Sequence, residues 1–478
     1  MKNISRRSFL KRSLLATTSL SLPARIWAQV PGSNSDIRVA VVGFGSRGES
    51  HINAFSKMEG VRLTALCDCD TKILETAARK AGDKGRPVES YTDVRKLLEN
   101  KDIDAISTAT PNHWHSLITI WACQAGKDVY VEKPVSHNIF EGRQCVAASR
   151  KYDRIVQTGT QSRSSTALKE AFAWVQEGHL GKIKIARGLC YKRRPSIGKV
   201  DGPQPIPSNI DYDLWCGPAL KLPLMRKKLH YDWHWVWNTG CGDIGNQGIH
   251  EMDKSRWALG KMELAPKVFT VGGRLGYIDD GETANTQMSV FDYGDALLIF
   301  EVRGLPSNSE SKNMDSYRGE AVGQVIECEG GYLSGITAYD KEKQVIKKFA
   351  GKPAEGDHFS NFINVVRNRK REQLHADILE GHLSSALCHM GNISYRLGQQ
   401  ADPDELHATL KKDAAATETL DRMEEHLAAN GVDLKKTKLS IGPTLNFDPK
   451  AERFIGSDKA NELVSRPYRK PFVVPEKV

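Results

Sequence analysis

Among its nine cysteines the 478-residue chain has no CxxC pair and no Cys/His spacing of the zinc type, and an odd count cannot pair completely. A structural zinc site and a disulfide framework are therefore excluded as organising principles, and no metal is expected. Cys123 and Cys388 fall in apolar helical patterns, where a small buried thiol is the default. No apolar run reaches the roughly 20 residues that a membrane-spanning helix requires, which excludes an integral span. Acidic residues are missing from the first 28 positions, which hold Lys2, Arg6, Arg7, Lys11, Arg12 and Arg25. Those six cations account for most of the net charge of +10 and leave +4 spread thinly over the rest. The basic run Arg367 to Arg371 is broken by Asn368 and lies in an amphipathic pattern, so it reads as a solvated helix face and nucleic acid is not an expected partner. An apolar fraction of 40 % with 8 % aromatics fits a folded chain and excludes disorder or a fibre.

What is present begins with Ser5-Arg6-Arg7-Ser8-Phe9-Leu10-Lys11, which matches the twin-arginine export pattern at every position. A mildly apolar stretch, Leu14 to Leu22, follows, and Ile26-Trp27-Ala28 offers a cleavage point. Residues 1–28 are thus expected to be a signal peptide that sends the chain to the periplasm. No cysteine stands near the cleavage point to carry a lipid anchor. Proteins exported by this route fold first, which agrees with thiols kept free in a core.

From Ile37 to Val42 an apolar, β-branched run ends at Gly43. Similar runs recur at Val61–Cys67, Ala105–Thr108, Val129–Val131 and Ile155–Thr158, separated by helix-length segments such as Ser116–Ala125 and Ile139–Tyr152. Strands alternating with helices predict a doubly wound parallel sheet over residues 36–158, and near-continuous apolar strands agree, since such a sheet is covered on both faces. Beyond residue 159 the pattern changes to longer alternating strands, including Lys182–Tyr191, Gln287–Phe291, Ala296–Val302 and Val322–Glu329, joined by turns such as Tyr293-Gly294-Asp295. This predicts an α+β domain over 159–400 built on a mostly antiparallel sheet. Residues 193–239, rich in Pro, Trp and His, read as a structured insertion. Residues 401–478 read as a C-terminal extension with one charged helix and a Pro-rich tail.

Gly43-Phe44-Gly45-Ser46-Arg47-Gly48 follows the first strand and opens a helix, and Asp68 stands at the end of the second strand. In that setting Gly43 makes the tight turn, Gly45 lets backbone approach a pyrophosphate, Gly48 lets the helix pack closely, and Ser46 and Arg47 begin the helix that receives the anion. Asp68 would bind ribose hydroxyls and repel a 2′-phosphate, so NAD is favoured over NADP. Thr110, Pro111, Asn112 and His115 follow the fourth strand, and Glu132-Lys133-Pro134 the fifth, both at carboxyl ends where ligands bind. There Lys133 could donate to a substrate oxygen. A third cluster runs Gly242-Asp243-Ile244-Gly245-Asn246-Gln247-Gly248-Ile249-His250. A helix from about Asn246 would put Asn246 and His250 on one face, with His250 able to take a hydroxyl proton. Just before it stand Tyr231, Asp232, Trp233, His234, Trp235 and Trp237, which read either as a carbohydrate platform or as a satellite core under a long loop. Asp232, Trp233, His234, Asp243 and Tyr191 are the candidate substrate contacts.

Taken together, the strand–GFGSRG–Asp68 unit, TPNHWH, VEKP and GDIGNQGIHEMD resemble the Gfo/Idh/MocA family in order and approximate spacing, over about residues 36–400. The resemblance implies an N-terminal Rossmann domain and a C-terminal domain with an open antiparallel sheet through which homo-oligomers form. It also implies that Lys133 and His250 are catalytic. Many family dehydrogenases carry an Asp four residues before that histidine, where this chain has Asn246; Asp243 or Asp253 could take its place. Three functions are compatible with these residues: an NAD-dependent oxidoreductase acting on a sugar or glycoside, a redox-neutral NAD-dependent glycosidase working through a 3-keto intermediate, and a non-catalytic sugar or nucleotide binder. The binder would be marked by loss of the lysine or the histidine, and both are present.

Overall fold

In the computed structural model, residues 36–352 and 356–478 are described. The expected signal peptide lies outside them. The first domain comprises β1 (Ile37–Val42), α1 (Arg47–Lys57), β2 (Val61–Cys67), α2 (Thr71–Gly82), β3 (Glu89–Tyr91), α3 (Val94–Glu99), β4 (Ala105–Thr108), α4 (Asn112–Gln124), β5 (Asp128–Val131), α5 (Ile139–Lys151) and β6 (Val156–Thr158). Its six strands are all parallel in the order β3-β2-β1-β4-β5-β6, with the reversal between β1 and β4. Residues of β1, β4 and β5 are buried on both faces, as their unbroken apolar character requires.

The second domain opens with α6 (Thr166–Gln176) and β7 (Ile183–Tyr191), followed by the insertion, which contains α7 (Tyr212–Cys216). Next come α8 (Gly242–Gly245), α9 (Gly248–Leu259), β8 (Lys267–Gly273), β9 (Thr286–Asp292), β10 (Leu297–Arg303), β11 (Val322–Cys328), β12 (Gly331–Ser334), β13 (Thr337–Asp340), β14 (Val345–Lys348), α10 (His358–Asn368) and α11 (Ile378–Arg396). These strands run β14-β13-β12-β11-β7-β10-β9-β8, antiparallel except for the parallel pair β7–β10. One face packs on α9 and α11 through Cys190, Phe291, Leu298, Phe300, Met252 and Leu387.

Residues 401–478 are not an appendage to this sheet. They follow β15 (Gln399–Ala401) and contain α12 (Pro403–Leu410), α13 (Ala414–Ala429), β16 (Leu439–Ile441), β17 (Leu445–Asp448) and β18 (Arg453–Ile455). β16 and β17 both pair with β8 and extend the sheet to twelve strands. Leu406, Leu410, Leu420, Met423 and Leu427 cover the second face over β8, β9 and β10, against Val271, Met288, Val290 and Ile299. Burying each such side chain stabilises the fold by roughly 1.5–3 kcal/mol, so this cover is held firmly. The face expected to be open for a homo-oligomer is therefore filled over β8–β10 by the chain's own helices. The tail then crosses back to the first domain, where Phe472 and Val474 join a core with Trp114, Leu117 and Ile118.

Candidate active site

The first wall of the site is the carboxyl edge of the parallel sheet. Gly43 has φ +75°, and a Cβ there would sit 2.7 Å from the Thr110 side chain; a Cβ on Gly48 would sit 2.1 Å from the Gly43 carbonyl oxygen. Those two glycines are required by the protein's own packing. Gly45 is not, since a Cβ there would meet only Ile73 at 3.5 Å, so its face is left clear for an incoming group. Ser46 precedes α1 without its side chain capping any amide, which leaves hydroxyl and first-turn amides available to an anion. Asp68 accepts from the backbone amides of Phe44 (3.2 Å) and Asp70 (3.0 Å) at the end of β2, while its burial pushes its carboxyl pKa up. The Asn112 Oδ1 atom is buried without a partner. These features fit a dinucleotide with a free ribose 2′-hydroxyl.

Glu132 is the most heavily engaged group on this wall. Its Oε1 accepts from Arg47 Nε at 2.8 Å and from Gln161 Nε2 at 3.2 Å, and lies 3.1 Å from His51 Nε2. Arg47 and His51 are four apart on α1, so both reach the same carboxylate. Although burial opposes it, hydrogen bonding from His51 leads the effects that hold the Glu132 carboxyl well below the usual range. Arg47 is thereby tied towards β5. His115 lies between two carbonyls, Pro134 O at 2.6 Å and Thr110 O at 2.8 Å, so it joins the two loops and has no nitrogen left for a cofactor. His113 and Trp114 likewise bond to backbone carbonyls of the insertion and of Thr239. His51 was not legible as a site residue, though a polar i, i+4 pair with Arg47 on a buried helix face was its signal.

The second wall is built by α8 and α9. The expected continuous helix from Asn246 is not formed: α8 stops at Gly245, Asn246 has φ −84° and ψ −84°, and α9 starts at Gly248. Glycines at 242, 245 and 248 cause the break. A Cβ on Gly248 would lie 2.8 Å from the Phe300 ring, so α9 can press onto β10 only with glycine there. The break turns the Asn246 carbonyl into the cleft, where it accepts from Lys133 Nζ at 2.8 Å. Asn246 thus engages the lysine through its backbone. Burial pushes the Lys133 pKa down, opposed by the carboxylates of Glu132, Glu251 and Asp243.

His250 makes no side-chain hydrogen bond among the described residues. Its pKa is pushed down to about 3 by burial and then by the charge of Lys133. Neither aspartate considered as a relay partner reaches it. Asp243 is held by Arg194 through Nε (2.8 Å) and Nη2 (2.7 Å), and Asp253 by Arg163 (2.8 Å) with Ser384 Oγ (2.7 Å). Glu251, next to His250, is buried beside Lys254 and Gln247, and burial pushes it up to about 6.

Of the insertion's candidates, His234 faces this cleft. Its Nδ1–H donates to the Tyr231 carbonyl, leaving Nε2 as an acceptor, and burial followed by the charges of Lys133 and Arg194 pushes its pKa down to about 3. The ring stacks on Trp233 at 3.6 Å. The tryptophans do not make one platform. Trp233 packs on the insertion's own core of Ile210, Trp215, Cys216, Leu224 and Leu229, Trp235 is buried 5.2 Å under Arg194, and Trp237 lies against Arg396. Burial pushes the Asp232 carboxyl up, opposed by the charges of Lys228 and Arg226. Tyr191 must be corrected. Along β7, Cys190 faces α9 and Tyr191 faces the other way, where its hydroxyl donates to Glu301 at 2.6 Å beneath Arg422. It is walled off from the cleft by the sheet.

A family model described as an oxidoreductase family with an NAD-binding Rossmann fold matches residues 37–160. The C-terminal alpha/beta domain of the same family matches 167–428 and 419–474. Glycosyl hydrolase family 109 protein 2 of Shewanella sp. strain ANA-3 is 32 % identical over 163 residues, 30 % of this chain and 36 % of that protein. The chain thus matches about a third of the length of that curated relative. Among solved structures, the WlbA dehydrogenase of Bordetella pertussis, in complex with NADH and UDP-GlcNAcA, aligns with a TM-score of 0.54 at 21 % identity, covering 74 % of this chain and 94 % of the other. The aldose-aldose oxidoreductase of Caulobacter crescentus, complexed with glycerol, aligns with a TM-score of 0.52 at 18 % identity, covering 73 % and 94 %. At these identities the two structures establish the shared fold.

Proposed function

The chain belongs to the Gfo/Idh/MocA oxidoreductase family, and from that premise we propose that it is an NAD-dependent oxidoreductase acting on a hydroxyl-bearing carbon of a sugar or glycoside. Bound NAD supplies the two-electron acceptor or donor. The observation that carries the reading is the Lys133 ammonium, fixed by the Asn246 carbonyl, whose charge acts on two imidazoles that burial keeps neutral. Lys133 donates a hydrogen bond to the substrate oxygen and favours its negative charge as that oxygen loses its proton. A neutral imidazole beside it receives the proton. His250 has its ring free for this, whereas His234 has its tautomer set by Tyr231, with Nε2 as the basic atom. Asp243, neutralised by Arg194, orients the cleft and does not act as a base.

The likeness to the family 109 glycosyl hydrolase over 163 residues favours a second reading, a redox-neutral glycosidase. Oxidation beside the anomeric centre would acidify a neighbouring C–H, permit elimination of the aglycone, and be reversed after water adds. Incubating the protein with a panel of glycosides separates the two: NADH accumulating with substrate supports the dehydrogenase, and released aglycone without net NADH supports the glycosidase. Neither product with any glycoside or polyol would defeat both.

The reading includes export to the periplasm by the twin-arginine route, supported by Ser5 to Lys11. No helix of the described residues is long and apolar enough to cross a membrane. A homo-oligomer formed through the large sheet would use the β12–β14 end, which α12 and α13 leave uncovered and where Val345 and Ile346 are exposed.

A further inference from the structure

The insertion is anchored on both sides of the cleft that receives the dinucleotide. Beyond β2, Asn209 Nδ2 donates to Asp70 Oδ1 at 2.7 Å and Asn209 O accepts from Thr71 N at 2.9 Å. Asp211 N donates to Cys69 O at 3.2 Å, and His230 Nε2 lies 3.2 Å from Asp70 Oδ2. These contacts sit two residues past Asp68, at the adenosine end. Beyond β4, the Trp215 carbonyl lies 2.9 Å from His113 Nε2 and accepts from Trp114 Nε1 at 3.1 Å, and a Cβ on Gly217 would lie 2.2 Å from the Trp114 ring. The strand order puts β1 and its glycine turn between these anchors, so the segment is tied down on both sides of the turn expected to hold the pyrophosphate.

The segment is stiff, because Ile210, Trp215, Cys216, Leu224 and Leu229 give it a small core of its own. It is also fastened from outside. Arg469 donates to Asp213 Oδ1 at 2.8 Å and to the Asp213 carbonyl at 2.7 Å, while Phe472, three residues on, packs edge-on against Trp114 at 5.4 Å. An enzyme that exchanged its cofactor at every turnover would need this path clear, and here both anchors and the fastening must be broken.

We propose that residues 209–230 are a strap closed across the dinucleotide and latched by the carboxy-terminal tail through Arg469, so that NAD stays bound through successive turnovers. The inference rests on the proposed NAD-dependent oxidoreductase reading. It narrows the reaction to those that leave the cofactor as they found it. The two electrons and proton taken from one sugar carbon, as C–H and O–H bonds break and C=O forms, return to a carbonyl carbon of the same or a second sugar, where C–H and O–H bonds form.

The test is nucleotide exchange, read without turnover. The full chain is purified, its nucleotide extracted and quantified, and replacement by isotope-labelled NAD followed in time. Close to one nucleotide per chain and exchange over hours are expected for the wild type. Arg469→Ala, which opens the latch, and Asn209→Asp, which sets a second carboxylate against Asp70, should each speed exchange roughly tenfold or more. Thermal melting of both variants identifies misfolding, and whichever variant melts with the wild type carries the comparison. Exchange within seconds in the wild type, or equal rates in wild type and folded variant, would overturn the strap while leaving NAD binding intact. If stripped protein takes up no NAD in an equilibrium titration, the oxidoreductase reading falls and the strap with it.

Discussion

The two walls of the cleft treat their titratable side chains in different ways. On the parallel-sheet wall, Glu132 satisfies Arg47, His51 and Gln161, and His115 spends both ring nitrogens on carbonyls. On the facing wall His250 has no partner, His234 keeps one nitrogen free, and the side chain of Asn246 is unbonded among the described residues while its carbonyl holds Lys133. Asn246, His250 and His234 are only half-buried, so their free groups stand open to an incoming substrate, and the contrast separates the scaffold from the reacting surface. Lys133 belongs to both, rooted beside Glu132 and reaching Asn246.

Breaking that link should have the largest effect. Lys133→Met keeps the length and loses the charge, and turnover should fall about a thousandfold with an unchanged melting temperature, checked by steady-state rates beside calorimetry. Next comes the scaffold. Glu132→Gln leaves Arg47 and His51 facing a neutral amide, and chemical denaturation should show a loss of about 3 kcal/mol, because removing one partner strands the others. On the reacting wall, His250→Asn and His234→Asn each test the proton acceptor. The true base should cost about a hundredfold in kcat and the other less than tenfold.

The pH profile sharpens the same contrast. Because both imidazoles are pushed down to about 3, they are neutral from mildly acidic pH upward, and the rate should show no inflection near 6.5. Lys133 must be protonated to act, and its pKa is lowered, so activity should fall on the alkaline side at a pH below 10.5. The smallest expected effect lies away from the cleft, at Glu452, which Arg143 and His382 hold down to about 2 from 4.5. A depressed carboxyl stabilises the fold above its unfolded pKa and ceases to do so as pH falls to the folded one. Glu452→Gln should therefore cost about 1–2 kcal/mol at pH 7, with the difference from wild type vanishing between about pH 4.5 and 2 in urea melts.

The parallel sheet was legible because its strands are apolar throughout and its glycines stand in a spaced motif. Lys133 was legible because it follows β5 at the carboxyl edge of the sheet, beside β4 and one strand from the glycine turn after β1. The geometry of the second wall was not, since three glycines at spacing three permit a helix as readily as the break that tertiary packing against Phe300 imposes. Tyr191 was misread for a simpler reason: in a strand one residue of register decides the face, and Cys190 and Tyr191 carry no mark of which side holds the active site. Residues 401–478 read only as a C-terminal extension because β16, β17 and β18 are three or four residues each, too short to show alternation.

Phe472 and Val474 lie in the core of a domain whose strands end at Thr158. A ribosome releasing this chain has therefore finished the first domain's sheet hundreds of residues before the side chains that close its packing emerge. Completion of that domain therefore waits on residues made long after its sheet, and a chain cut before Phe472 should fail first in the parallel-sheet domain.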